Sequence, residues 1–226
     1  MTQLQAVLWD MDGTLVDTEP YWIECEHALV DRYGDGRWTH EMGLALVGRD
    51  LRDSARYLRQ YAHVDLAVDD IVNHLLDGVI ARVSEHVPWR PGARELLQAL
   101  NDAKVPTALV TMSWRRLTDA VVAALPTESF TIVVAGDDVT HGKPHPEPYL
   151  VAAERLRVDP TRCVAIEDSP TGVRSAVAAG CVVIGIPHVV TIPDGLGHHH
   201  RATLEVLDVE NLELLLASCI REARGA

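Results

Sequence analysis

The 226-residue sequence predicts an α/β protein whose core is a three-layer parallel sheet, with an inserted α-helical domain. Two observations indicate this class. Short apolar, β-prone runs alternate with amphipathic helical segments, as in doubly wound sheets. The alternation stops between Glu19 and Pro88, where only helical patterns occur. A third observation concerns function, because several of the apolar runs end directly in charged or hydroxyl side chains.

Six segments carry the strand pattern, each a short apolar run bounded by polar or turn-forming residues. They are residues 6–10, 107–112, 131–135, 163–167, 182–186 and 204–207. Helical stretches separate them, so a parallel arrangement is expected.

The interruption is interpreted as a helical insertion. Apolar positions recur every three or four residues in segments 21–33, 51–61 and 68–85. Pro88 and Pro91 then end the helical region, and a new amphipathic helix is expected over 93–100. The predicted domains are therefore a core made of 1–17 and 89–226, and an insertion over 18–88.

Asp10 and Asp12 follow the first strand, one residue apart, and precede Gly13 and Thr14. Carboxylates gathered at the end of a buried strand repel one another and are costly to desolvate, so a cation or chemistry is expected to compensate them. A surface turn is the alternative, since Asp-Gly commonly forms turns.

Three later segments place complementary groups after strand-like runs. Thr111 follows the second run, Lys143 lies after the third, and Glu167 with Asp168 ends the fourth. The carboxyl ends of parallel strands meet at one edge of a sheet, where open α/β folds bind ligands. Taken alone, Lys143 would be interpreted as a solvated loop residue, because lysines are usually exposed, but its position after the third strand favours a role at this edge. Ser169 before Pro170 is typical of a helix cap.

The four motifs in this order resemble the haloacid dehalogenase superfamily, and in particular its small-capped phosphatases and β-phosphoglucomutase-like members. The resemblance implies a Rossmann-like core, a mobile helical cap hinged near Asp17 and Trp89, and hydrolysis through an aspartyl phosphate. By the same resemblance, the nucleophile is Asp10, the acid and base is Asp12, and Lys143 neutralises both the nucleophile and the transferring phosphoryl group.

The resemblance also implies a ligand set. Mg²⁺ prefers oxygen ligands, and the expected ones are Asp10, the Asp12 carbonyl and Asp168, with Glu167 as a direct or outer-sphere helper. Phosphoryl oxygens are expected to bind the Thr111 hydroxyl and backbone amides near Met112.

Two other functions remain open. Counting without gaps, sugar phosphomutases of the group carry a histidine at the position of Trp22 and an arginine near that of Leu51, so the resemblance favours hydrolysis over phosphoryl return. The second alternative is a catalytically retired protein that binds a phosphorylated metabolite. Dehalogenases and phosphonate hydrolases of the group lack an aspartate at the position of Asp12, so the resemblance implies phosphate esters as substrates.

The substrate is expected to be a small phosphorylated metabolite of the sugar phosphate or nucleoside monophosphate type. Its leaving group would contact the cap, and the candidate residues are aromatic or carry guanidinium groups. These candidates are Trp22, Arg49, Arg52 and Trp114. Each could instead be a packing residue or part of a solvated face.

Composition and net charge disfavour some classes of binding partner. A formal net charge of −13 disfavours nucleic acid and anionic membranes. We see no signal peptide or transmembrane segment. Four scattered cysteines, two of them (Cys163 and Cys181) in apolar runs, indicate reduced thiols and a cytoplasmic location. A monomer or weak homodimer is expected.

Two clusters could be mistaken for metal sites. The run His198–His200 is expected to be a solvent-facing loop, since no acid or thiol partner is evident nearby in the sequence. Asp137 and Asp138 are expected to orient their own backbone or to pair with a lysine such as Lys143.

Overall fold

The computed structural model describes residues 4–46 and 51–225, with side chains up to Glu222. The chain divides into two compact units. One combines the segment that ends at Asp17 with the segment that begins at Pro88, and the other is Thr18–Val87. The predicted insertion covered 18–88, and its role as a mobile cap stays a prediction.

The first unit is built on a six-stranded sheet in the order β3-β2-β1-β4-β5-β6, in which every neighbouring pair is parallel. The predicted α/β class is confirmed. The strands are β1 Ala6–Trp9, β2 Thr107–Val110, β3 Ile132–Val134, β4 Cys163–Glu167, β5 Val182–Gly185 and β6 His199–His200.

Five of the six predicted strands are present, and the sixth prediction was wrong. Leu204–Val206 is a 3-10 helix, while the edge strand lies earlier, at His199–His200. The Thr203 hydroxyl accepts a hydrogen bond from the Glu205 backbone N–H at 3.3 Å and begins the helical turn.

The central strands supply a dry core beneath the edge that carries the acids. All residues of β1, β2, β4 and β5 are buried. One apolar cluster joins Leu8, Val110 and Ala165 from these strands to Tyr149 from a covering helix. Burial on both faces explains why the strands are continuously apolar.

Five α-helices lie in the described part of this unit. They are α5 Ala93–Asp102, α6 Arg115–Ala124, α7 Glu147–Leu156, α8 Pro170–Ala178 and α9 Val209–Gly225. α7 packs on β1, β2 and β3, α8 packs on β4 and β5, and α9 contacts β4 and α5. The predicted helix cap is confirmed, because the Ser169 hydroxyl accepts from the Gly172 N–H at 3.1 Å.

The second unit is helical in its described part. Its helices are α1 Glu19–Tyr33, α2 His40–Leu44, α3 Leu51–Tyr61 and α4 Val68–Glu85. α4 packs against both α1 and α3. The three predicted segments are present, and the short α2 was not predicted. Its signal is Thr39, whose hydroxyl accepts from the Met42 N–H at 3.3 Å as an N-cap.

The histidine run is not the expected solvent-facing loop. His198 Nδ1 accepts from the Val183 N–H at 3.0 Å, and His200 Nε2 lies 2.7 Å from the Leu196 carbonyl oxygen. His199 Nε2 lies 3.4 Å from Cys219 Sγ. The His198 ring therefore bonds to β5, the His199 ring contacts α9, and the His200 ring bonds to the loop that precedes β6.

The predicted reduced thiols are confirmed, since all four cysteines are free, with Cys163 and Cys181 buried. None of the helices in residues 4–46 and 51–225 is long and apolar enough to span a membrane.

Candidate active site

Asp10 lies where β1 ends, at the centre of the sheet's carboxyl edge. Its backbone N–H donates to the Ile166 carbonyl at 3.0 Å, which extends the pairing of β1 with β4 by one residue. The residue is 8% exposed. Its Oδ1 accepts a hydrogen bond from Lys143 Nζ at 2.6 Å. The alternative of a solvated surface turn is therefore wrong for Asp10.

Lys143 is the cation of this edge and not a solvated loop residue, because its side chain is only 5% exposed. Its ammonium group donates to Asp10, to Glu167 Oε1 at 2.7 Å and to the Val110 carbonyl at 2.9 Å. Burial alone would lower the pKa of Lys143, but the Asp10 and Glu167 carboxylates outweigh it and raise the pKa above its usual range. The side chain therefore carries its charge at neutral pH.

Glu167 is the most buried acid of the group, with no exposed surface. Besides Lys143, its Oε1 accepts from the Tyr149 hydroxyl at 2.7 Å. Burial and the nearby Asp10 carboxylate raise the pKa of Glu167, while Lys143 opposes the rise. Gly172 makes room for it, because a Cβ atom there would lie 1.9 Å from Oε1. The first turn of α8 thus closes directly over this carboxylate.

Tyr149 was missed in the sequence, although it touches two motifs. It is fully buried, and Lys143 Nζ lies 5.2 Å from its ring centroid in a cation–π contact. Its position six residues after Lys143, within an apolar helix face, is the available signal, since a buried tyrosine hydroxyl usually needs a partner. Its hydroxyl holds the Glu167 carboxylate inside the core.

Three carboxylates form the candidate metal centre. Asp10, Glu167 and Asp168 each offer an oxygen, and these atoms lie within 4.8 Å of one another. Burial and then the neighbouring Asp10 and Glu167 carboxylates together raise the pKa of Asp168 to about 9, although Lys143 opposes the rise. Gly13, at φ +84°, admits the acid closely, because a Cβ there would lie 2.2 Å from Asp168 Oδ2. Crowded all-oxygen donors of this kind fit a hard dication such as Mg²⁺.

Asp12 points to a different neighbour from Asp10. Its Oδ2 accepts from the Ser113 hydroxyl at 2.6 Å and from the Thr111 hydroxyl at 3.4 Å. Thr111 in turn accepts from the Ser113 N–H at 3.0 Å. The two acids therefore have different partners, although they are one residue apart. Asp10 pairs with the Lys143 ammonium group, and Asp12 accepts hydrogen bonds from hydroxyl groups. Ser113 was missed in the sequence; its signal is the second hydroxyl of the run 111–113, at the end of β2.

Met112 holds the loop around this second motif. Its Sδ accepts from the Lys143 backbone N–H at 3.2 Å, and its carbonyl lies where a Cβ on Gly136 would be only 2.2 Å away. The tight approach of these three loops places Lys143 beside the sheet edge. The phosphate-binding roles predicted for Thr111 and Met112 stay predictions.

Asp137 and Asp138 orient backbone, as expected, and do not pair with Lys143. Asp138 accepts from the Ala135 N–H at 3.1 Å and forms an ion pair with Arg115. Asp137 accepts from the Arg115 N–H at 2.8 Å. Both acids therefore fasten the start of α6.

The predicted leaving-group residues are not tested by these contacts. Trp22 is half-buried on α1, and Arg52 on α3 pairs with Asp69 at 3.3 Å. Trp114 precedes α6 in the first unit. Arg49 lies outside the described residues.

Comparison with known proteins identifies the family of this chain. The family model described as haloacid dehalogenase-like hydrolase matches residues 7–186, which include all four motifs. The chain belongs to this family. Its predicted family and enzyme class are confirmed, since similar curated proteins of the family are phosphatases.

Two of these relatives illustrate the similarity. A phosphorylated carbohydrates phosphatase of Thermotoga maritima is 32% identical over 187 residues, covering 82% of this chain and 86% of the relative. Hexitol phosphatase A of Escherichia coli is 34% identical over 192 residues, covering 80% and 82% respectively.

Among solved structures, CbbY of Rhodobacter sphaeroides in complex with phosphate superposes with a TM-score of 0.83. It is 26% identical, and the match covers 93% of this chain and 99% of that one. A mutant of the same protein in complex with xylulose-(1,5)bisphosphate superposes with a TM-score of 0.81. A β-phosphoglucomutase of Clostridium difficile, 19% identical with a TM-score of 0.77, shares the fold.

Proposed function

We propose that this chain is a Mg²⁺-dependent phosphatase that hydrolyses a small phosphorylated sugar or polyol through a phosphoryl intermediate on Asp10. The observation that carries the proposal is the 2.6 Å contact between Asp10 Oδ1 and Lys143 Nζ, made inside a cluster of three acids. A buried carboxylate beside a buried ammonium group is poised for nucleophilic attack on an anionic phosphoryl group.

In the first half-reaction Asp10 attacks phosphorus, an Oδ–P bond forms and the ester P–O bond breaks. Lys143 neutralises the charge that this step gathers near Asp10, acting as a point charge. Val110 and Glu167 hold the ammonium group from two further directions, so it needs no reorganisation during the reaction.

Asp12 supplies the proton to the departing alkoxide and later accepts one from the water that cleaves the acyl phosphate. The Ser113 and Thr111 hydroxyls orient its carboxyl group. When substrate binds, the Thr111 hydroxyl would exchange its long hydrogen bond to Asp12 for one to a phosphoryl oxygen, and the Met112 backbone N–H is proposed as a second donor.

Magnesium fits the donor set of Asp10 and Asp168, with Glu167 as an outer-sphere helper. Glu167 Oε1 already accepts from Lys143 and Tyr149, which favours the indirect role. The bound cation would supply positive charge to the phosphoryl oxygens and relieve repulsion among the acids. The Asp12 backbone carbonyl is proposed as a further ligand.

The substrate class is proposed from the relatives, whose printed names refer to phosphorylated carbohydrates and hexitols. A nucleoside monophosphate stays in the test panel. We assign the helical unit the role of a cap, with Trp22, Arg49 and Arg52 toward the leaving group and Trp114 contributing from the core unit. Four free thiols support a cytoplasmic location.

A panel of phosphorylated sugars, polyols and nucleosides, read as released phosphate with Mg²⁺ or with a chelator, tests this proposal. We expect Mg²⁺-dependent release, with its highest kcat/KM on a sugar or polyol phosphate. Asp10→Asn should abolish release, whereas the exposed control Asp194→Asn should not change it.

Two outcomes would replace the proposal. A phosphate isomer that appears without free phosphate, when a sugar bisphosphate primer is supplied, would establish the mutase alternative. Absence of turnover on the whole panel, with binding retained, would establish the retired binding protein.

A further inference from the structure

A second group of metal-ligand side chains lies on either side of Lys143, in the loop that carries it and at the start of α7. His141, His145 and Glu147 each offer one ligand atom, and these atoms lie within 4.8 Å of one another. The group shares no residue with the carboxylate cluster. The two histidine side chains are 62% and 51% exposed, so an ion can reach them from solvent.

The two separations that involve Glu147 suit a tetrahedral ion. Glu147 Oε2 lies 2.8 Å from His141 Nδ1 and 3.9 Å from His145 Nδ1. Zinc bonds of about 2.0–2.2 Å to nitrogen and oxygen imply a ligand-to-ligand distance of roughly 3.4 Å in a tetrahedron. The two observed distances lie on either side of that value. Small rotations of the exposed histidine rings can bring both distances to it.

Glu147 is already held in place for this role. Its carboxylate accepts from the Thr140 N–H at 2.7 Å and from the His141 N–H at 3.0 Å, which ties the loop to the first turn of α7. These two backbone hydrogen bonds fix the orientation of the Glu147 carboxylate, which therefore does not depend on side-chain contacts to both oxygens. Such outer hydrogen bonds orient metal ligands in proteins.

The tautomer of His145 is also suitable. Its Nδ1 accepts a hydrogen bond from the Glu147 backbone N–H at 3.2 Å, so this nitrogen has a lone pair directed toward the group. A metal ion could replace this long hydrogen bond and bind Nδ1, which carries no proton in this tautomer. His141 Nδ1 faces a carboxylate oxygen, and the ring would ligate through this nitrogen in the tautomer whose proton is on Nε2.

We propose that His141, His145 and Glu147 bind one transition-metal dication of the zinc type, with water in the fourth position. Two imidazoles and one carboxylate are a donor set for zinc, whereas Mg²⁺ prefers oxygen alone. The run His198–His200 is less suited, because ring nitrogens of His198 and His200 lie against backbone groups. A bound ion would connect the residues on either side of Lys143 in the chain and so restrain the loop that carries this lysine.

Untagged full-length protein, saturated with Mg²⁺, is titrated with Zn²⁺ against a chromophoric chelator. We expect one Zn²⁺ site per chain in the native protein and in the control His86→Gln, an exposed histidine of the helical unit. His141→Gln and His145→Gln should each weaken this site by at least about tenfold, in the range typical of perturbed metal shells.

Co²⁺ provides a second readout, because tetrahedral coordination gives an intense visible absorption that octahedral coordination lacks. The band should appear in native protein and be absent in His145→Gln. Unchanged Zn²⁺ affinity in both histidine variants would overturn the proposal. So would a site that disappears only in Asp168→Asn, since that would assign the zinc to the carboxylate cluster. Unchanged thermal unfolding of the histidine variants without metal verifies that they fold.

Discussion

Asp168→Asn should stabilise the metal-free protein while removing its response to Mg²⁺. Burial and the nearby acids raise the pKa of Asp168 from 3.8 to about 9. The folded chain therefore binds this proton more tightly than the unfolded chain does, and the stability of the metal-free protein falls as pH rises from about 4 to about 9.

The size of the effect follows from that shift. At pH 7 the carboxyl is protonated in the fold and ionised in the unfolded chain, a difference that costs about 4 kcal/mol at 1.36 kcal/mol per pKa unit. Residual solvent at the site reduces this cost, so we expect a gain of roughly 2–4 kcal/mol for the amide. For a chain of this length the melting temperature should rise by roughly 5–15 °C.

Thermal unfolding of native protein, Asp168→Asn and the exposed control Asp194→Asn, followed by circular dichroism in a chelator at pH 5 and pH 8, measures this gain. The advantage of Asp168→Asn should be larger at pH 8. Added Mg²⁺ should then stabilise native protein, because the ion binds the folded state. It should thereby reduce the difference in melting temperature between native protein and Asp168→Asn. A variant that melts below native protein in the chelator, or a gap that does not depend on pH, would refute the argument.

Three further variants test the contacts around the motifs. Asp12→Asn should slow release from alkyl phosphates more than from an aryl phosphate, whose leaving group needs no proton, and a burst with the aryl substrate would reveal slow hydrolysis of the intermediate. Ser113→Ala removes a hydrogen bond to the Asp12 carboxyl, so kcat should fall by roughly tenfold or more with KM nearly unchanged. Tyr149→Phe leaves Glu167 without one donor, and urea unfolding should show a loss of about 1.5–3 kcal/mol. An unchanged kcat in Ser113→Ala, or an unchanged unfolding midpoint in Tyr149→Phe, would count against these roles.

The assembly of the motifs could be predicted because it depends on topology. β1, β2 and β4 are adjacent and parallel, so residues that directly follow them must meet at one edge. Asp10, Thr111 and Asp168 occupy those positions. Lys143 comes from a loop after β3, and the four motifs in order were needed to distinguish it from a solvated residue.

The parts that the sequence did not reveal depend on side chains finding partners across the fold. Tyr149 reads as an ordinary apolar-face residue until α7 is packed on the sheet. Ser113 reads as a loop hydroxyl until β1 and β2 bring it to Asp12. The strand wrongly predicted at 204–207 also depends on contacts across the fold. Its apolar run forms a helical turn that packs against Gly92, where a Cβ would lie 2.3 Å from the Glu205 nitrogen.

The central claim is that Asp10 takes up the phosphoryl group while Lys143 and a dication balance the crowded acids. Acid quenching during steady turnover, followed by intact mass and peptide analysis, tests it most directly. We predict one phosphoryl adduct, located on Asp10 and absent in Asp10→Asn. Continued phosphate release with no adduct, or with the adduct on another residue, would contradict the account.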